Sequence, residues 1–248
     1  MTRGQLLAEV MKSYCGISVA GTHGKTTTSG IIAWVFEYAK QDPTFMIGGV
    51  LRDRHSPMQL GKSQFFIAES DESDASFLFL SPTVGVITNI DADHMETYGY
   101  NFENLKKSFL QFASNVAQDG FIVACSDDPV IRELIPHMPC RVLTYGSNDD
   151  ANYQLKNFRQ LGLQCEFTVK TPDGASLPIC LNLAGKHNAL NALAAIIIAR
   201  EYNLPDLAVQ NALKTFPGMG RRFHPHGEMK VVGGHALLFD DYGHHPAE

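Results

Sequence analysis

Gly24-Lys25-Thr26, preceded by Gly21, Thr22 and His23 and followed by Thr27, has the residue types of a phosphate-binding turn. In such a turn, backbone N–H groups surround phosphate oxygens at the start of a helix. Lys25 would bind the β- and γ-phosphates of a nucleoside triphosphate, and the Thr26 hydroxyl would ligate Mg²⁺. The general pattern G-x-x-x-x-G-K-[ST] requires a glycine five positions before Gly24, and that position is Val19. The bland alternative is an ordinary strand-to-helix turn. The flanks favour the phosphate loop. "GISVA" (16–20) reads as a buried strand, and Thr26 to about Lys40 places Ile31, Ile32, Val35, Phe36 and Ala39 at helical spacing.

Two further clusters follow apolar runs. "AESDESDASF" (68–77) carries Glu69, Asp71, Glu72 and Asp74 directly after "QFFIA". In an open α/β sheet ligands gather at the carboxyl ends of strands, and a carboxylate there can hold the Mg²⁺ of a nucleotide. Glu69, nearest the strand end, is the expected metal ligand; the other three also fit a solvated turn with capping acids. "TNIDADHMETYG" (88–99) follows "VGVIT", and its His94 can ligate a second metal ion or orient an acidic substrate. On pattern alone Asn188 in "GKHNALNA" is a helix cap or an adenine contact, and Arg221-Arg222 a solvated linker pair or a source of charge for a transferring phosphate. "FDDYGHHP" (239–246) and His224-x-His226 lack the spacing of a structural zinc site.

These residues need a scaffold that delivers several strand ends to one crevice. Continuous apolar runs at 64–68, 84–88 and 121–125 suit strands covered on both faces, as in a parallel sheet. Segments 102–117 and 127–135 read as helices, the second leading to a further strand-like run at 141–146. The expectation is an α/β fold of phosphate-loop type: a mostly parallel sheet flanked by helices, with a small antiparallel extension over about 151–183. Two helices, 187–202 and 206–216, follow it. "PGMGRRF" (217–223) reads as a linker, and the strand-like runs after it as the opening of another domain.

The 248 residues, 44% hydrophobic and 19% charged, are ordinary globular composition. A net charge of −6 does not suit a general nucleic-acid binder. Five scattered cysteines without C-x-x-C suggest reduced thiols in a cytoplasm. No apolar run reaches the roughly 18 residues of a membrane span, and the N-terminus lacks the apolar core of a signal peptide.

Together these motifs resemble the Mur ligases of peptidoglycan synthesis. That family's loop is GT-x-GKT-[ST], without the early glycine, and "GTHGKTT" (21–27) matches it. The order "GTHGKTTT", "DESDASF", "TNIDADHMETYG", "GKHNALNA", "GRRF", "DDYGHHP" is similar to the branch that adds L-alanine to UDP-N-acetylmuramate. The competing branch, which attaches recycled murein tripeptide, typically has E-A-D-E-Y-D where this chain has "ESDESD", so Ser73 favours the alanine branch. Ser70 replaces the family's usual alanine, with no consequence expected.

The resemblance implies a three-domain enzyme. Residues 1–220 would be its central ATP-binding domain and 221–248 a linker with the first strands of an incomplete C-terminal domain; the N-terminal UDP-sugar domain would be absent. It implies ATP and Mg²⁺, attack of a lactyl carboxylate on the γ-phosphate, and capture of the acyl phosphate by the L-alanine amine. By resemblance Lys25 binds phosphates, Thr26 and Glu69 hold one Mg²⁺, and His94 serves a second metal. His187 and Asn188 meet the adenine, Arg222 the γ-phosphate and Asp241 the ribose. Tyr242, His244 and His245 face the cleft. The chain alone is expected to be inactive, with an ATP·Mg²⁺-binding module or a nucleotide switch protein as the other readings.

Overall fold

The computed structural model describes residues 1–243. Helix α1 (Arg3–Met11) leads into β1 (Cys15–Ala20), the phosphate-loop segment and α2 (Lys25–Tyr38). Then come β2 (Thr44–Met46), β3 (Met58–Gln59), β4 (Phe65–Glu69), β5 (Val84–Ile87), α3 (Phe102–Ser114), β6 (Phe121–Cys125), α4 (Pro129–Leu134) and β7 (Arg141–Gly146). The chain continues through β8 (Tyr153–Leu161), β9 (Gln164–Lys170), β10 (Ser176–Leu181), α5 (Lys186–Glu201), α6 (Asp206–Lys214), β11 (His224–Val231) and β12 (Gly234–Asp240).

Ten strands form one sheet in the order β10-β9-β8-β7-β6-β5-β1-β4-β2-β3. From β2 through β8 neighbours run parallel, with β1 between β4 and β5. The sheet is covered on both faces, as the apolar runs require. In β4, Phe65 packs edge-on to Phe36 of α2, whereas Phe66 and Ala68 turn to Ala8 and Met11 of α1. The alternation follows the two-residue period of a strand. On the α2 side lies α5, whose segment from Leu193 to Ala199 is buried throughout, so it must be apolar on every side.

The expected antiparallel extension is present, continuous with the main sheet. β8 joins β7 in parallel through Tyr145↔Tyr153 and Gly146↔Gln154, and β9 and β10 extend it antiparallel. Sequence reading passed over β2 and β3, which are three and two residues long and carry too little pattern to register. Ser70, expected to be without consequence, has a structural role: its hydroxyl pairs with that of Ser18, both buried between β1 and β4. After α6 the chain leaves the body as a two-stranded hairpin, β11–β12, largely exposed. Among the described residues no helix is long and apolar enough to cross a membrane.

Candidate functional site

β1 ends at Ala20, and Gly21 to Gly24 turn the chain into α2 at the carboxyl edge of the sheet. The turn is strapped to the segment after β5. Thr22 N–H donates to the Asn89 carbonyl at 3.0 Å, and His23 N–H to Asn89 Oδ1 at 2.8 Å. In return Thr88 Oγ1 and Asn89 Nδ2 donate to the His23 carbonyl at 2.6 and 3.0 Å. Gly24 is the N-cap, at φ +83°, and brings no side chain to the first N–H groups of α2. Those donors, at the positive end of the helix dipole, are what an anion would meet.

The Lys25 ammonium curls back under the turn. It donates to the Gly21 and Thr22 carbonyls at 2.8 and 3.0 Å and lies 2.7 Å from Glu72 Oε2. Glu72 is 2% exposed, and burial pushes its carboxyl up against the opposing pull of Lys25. Lys25 is its ion-pair partner, and among the described residues no other residue hydrogen-bonds to either Glu72 carboxylate oxygen. The other acids of the cluster are turn residues: Asp71 Oδ1 accepts from Ser73 N and Asp74 Oδ1 from Ser76 N.

Glu69, at the end of β4, accepts from Gly48 N–H at 2.9 Å. A Cβ on Gly48 would fall 2.4 Å from Glu69 Oε2, and one on Gly49 2.9 Å from Thr26 Cγ2. Two consecutive glycines thus bring Glu69 and Thr26 to one spot of backbone. His94 sits at φ +52°, with Nε2 3.7 Å from Asp93 Oδ2. Among the described residues no three His, Cys, Asp or Glu side chains form a metal cage. A hydroxyl and one carboxylate beside phosphates still fit Mg²⁺, which keeps waters and takes few protein ligands.

A cavity of about 770 Å³ opens beside the turn. Its lining includes His23, Gly24, Thr26 and Thr27 of the turn and first helical residues, His187 and Asn188 of α5, and Arg222 and Asp241. Gly21, Thr22, Lys25, Glu69 and His94 lie off this cavity. Burial pushes the His187 imidazole down, partly offset by the Asp241 charge. Asn188 Nδ2 donates to the Ala184 carbonyl at 2.7 Å, so its amide braces the approach to α5 as well as lining the cavity. Asp241 accepts from Phe223 N–H and Gly243 N–H, both at 2.6 Å. Tyr242 lies under the guanidinium groups of Arg221 and Arg222, 4.6 and 5.4 Å from its ring centre. His244 and His245 lie outside the described residues.

Sequence reading missed three residues that shape the candidate site: Glu72 as the partner of Lys25, Asn191 and Arg52. Asn191 Oδ1 stands 2.9 Å from where a Cβ on Gly24 would be, closing α5 onto the turn. Its spacing of three from Asn188 puts both on one helix face, a legible signal. Arg52 donates to the carbonyls of Met219, Arg222 and Phe223 at 3.1, 2.8 and 2.9 Å, while Gly220 N–H donates to the Val50 carbonyl. It clamps the linker that carries Arg222. Arg52→Met keeps the stem and removes these donors. Backbone hydrogen exchange over residues 219–240 should then quicken about tenfold, the loss of about 1.4 kcal/mol of local stability. Exchange within α2 should hold, and equal quickening in α2 would show global rather than local loosening.

Residues 19–199 match the Mur ligase middle domain. The UDP-N-acetylmuramate–alanine ligase MurC of Thermotoga maritima is 27% identical at a TM-score of 0.83, over 98% of this chain and 54% of that one. The UDP-N-acetylmuramate:L-alanyl-γ-D-glutamyl-meso-diaminopimelate ligase of Neisseria meningitides is 28% identical at 0.76, over 86% of this chain and 69% of that one. MurF of Acinetobacter baumannii, 20% identical at 0.77 over 98% and 54%, shares the fold. This chain thus spans about half the length of the MurC and MurF chains it matches. The middle-domain match, running from within β1 almost to the end of α5, contains the turn, both acid clusters and most of the cavity lining: the chain belongs to the Mur ligase family.

Proposed function

We propose that this chain is the ATP-binding core of a ligase that joins L-alanine to the lactyl carboxylate of UDP-N-acetylmuramate in peptidoglycan precursor synthesis, in the cytoplasm. The observation that carries the reading is the strapped turn of residues 21–27, with Lys25 beneath it and a nucleotide-sized cavity beside it. In this reading residues 1–220 form the nucleotide domain and 221–248 lead into a domain that presents the amino acid.

The residues divide the work by charge. First-turn N–H groups of α2 and Lys25 hold the phosphate chain, and Arg222 neutralises charge on the transferring phosphoryl group. Thr26 and Glu69 hold Mg²⁺, which supplies charge neutralisation at the phosphates. His94 serves a second metal or orients the substrate's carboxylate. His187 and Asn188 take the adenine end of the cavity, and Asp241 the ribose.

A second reading, attachment of a murein tripeptide in place of L-alanine, is supported by the 28% identity to the Neisseria enzyme; Ser73 favours L-alanine. Calorimetric titration with ATP and Mg²⁺ should show weak binding by this chain. With UDP-N-acetylmuramate added, phosphate release should be absent with either amine donor. When the flanking domains are supplied, L-alanine should support release and the tripeptide should not. Absence of ATP binding overturns the nucleotide reading, and robust ligation by this chain alone overturns the need for further domains.

A further inference from the structure

A lysine ammonium has three N–H donors and no more. Lys25 donates to the Gly21 and Thr22 carbonyls at 2.8 and 3.0 Å, and its remaining side faces Glu72 Oε2, its ion-pair partner at 2.7 Å. A phosphate oxygen can reach this ammonium only by taking the place of one partner. The two carbonyls are neutral and belong to a turn held by Thr88 and Asn89. Glu72 alone carries the charge of the incoming group, so the two anions compete for one cation.

We propose that Glu72 is a counter-anion built into the phosphate loop, which a nucleotide's terminal phosphates displace from Lys25. This rests on the reading of the turn as a nucleotide site. Glu72 is suited to the exchange because it is 2% exposed and its carboxylate, Lys25 apart, has no partner on another described residue. Once released it takes a proton from water, since a buried carboxyl without a partner is more stable neutral. In the free protein the same contact keeps Lys25 ordered and screens a buried positive charge. Nucleotide affinity is then the attraction of the phosphates for the turn less the attraction between Lys25 and Glu72 that binding gives up.

The test is calorimetric titration of the chain and its Glu72→Gln variant with ATP and, separately, AMP, in Mg²⁺. Glutamine keeps the volume and removes the competing charge. ATP should bind about tenfold tighter to the variant, and AMP, without β- and γ-phosphates, should change less than about twofold. ATP binding that is unchanged or weakened shows Glu72 to be a standing support for Lys25 and overturns the inference, leaving the nucleotide reading in place. If neither protein binds ATP, both fall. A measurement on the unaltered chain stands beside the variant. The ¹³C resonance of the Glu72 carboxyl should move to the protonated position on saturation with ATP, and an unmoved resonance overturns the displacement.

Discussion

Lys25→Met will remove ATP binding and lower the melting temperature together. The first effect follows from losing the cation that meets the β- and γ-phosphates; a hundredfold or greater weakening, about 3 kcal/mol, is expected. The second comes from Glu72. Removing one partner of a buried pair leaves the other charge unpaired, at a cost of about 3–5 kcal/mol. For a chain of this size that is a fall of roughly 6–20 °C. Glu72 is already pushed up by burial, and without Lys25 it is pushed further. Its folded value then lies above its unfolded one, so the folded variant binds the extra proton. Stability of the variant is therefore greatest at low pH and falls as pH rises through the folded value. Adding Glu72→Gln to Lys25→Met should restore most of the melting temperature and flatten this pH dependence, without restoring ATP binding. Thermal melts between about pH 5 and 8 read all of it. A Lys25→Met protein that melts like the parent at every pH would show that the 2.7 Å pair carries no coupling.

The parts of this site legible in the sequence are those whose signal is local. β1, the turn and α2 are contiguous, and the apolar run, the glycines and the helical spacing all point the same way. Glu72 could not be told from its neighbours, because four acids within six residues look alike in a string. The fold separates them: Glu69 stays on the strand end, Asp71 and Asp74 cap turns, and Glu72 is carried inward to a lysine far away in the sequence. Arg52 was hidden differently. It sits in the polar stretch "LRDRHS", and its partners are carbonyls 167–171 positions away, to which any sequence contributes alike. The family resemblance supplied roles for Arg222 and Asp241 that pattern alone did not favour. Their place in the lining of one cavity depends on the Arg52 clamp and on Asp241 binding Phe223 N–H.

A graded set of glycine replacements should separate the strap from the helix end as the source of loop order. Gly21 has φ +129°, and an added Cβ would stand 2.1 Å from Thr88 Oγ1, 3.0 Å from Thr88 N and 3.1 Å from Asn89 N. Thr88 cannot swing away without giving up its 2.6 Å bond to the His23 carbonyl, and the backbone atoms cannot move without shifting β5. Gly21→Ala therefore combines backbone strain with overpacking and should cost about 2–5 kcal/mol. It should also abolish ATP binding at temperatures where the variant is folded, because the Gly21 carbonyl that steadies Lys25 moves with it. At Gly24, φ +83°, the nearest obstacle is the Asn191 side-chain oxygen at 2.9 Å, which can rotate. Gly24→Ala should cost about 1–2 kcal/mol, mostly for the left-handed backbone. Gly162, φ +61° with nothing within 4 Å, isolates that backbone cost at about 1 kcal/mol and should leave ATP binding intact. Chemical denaturation and ATP titration of the three variants give the order. If Gly21→Ala is no worse than Gly162→Ala, the bonds from Thr88 and Asn89 do not hold the turn, and its order must come from α2 alone.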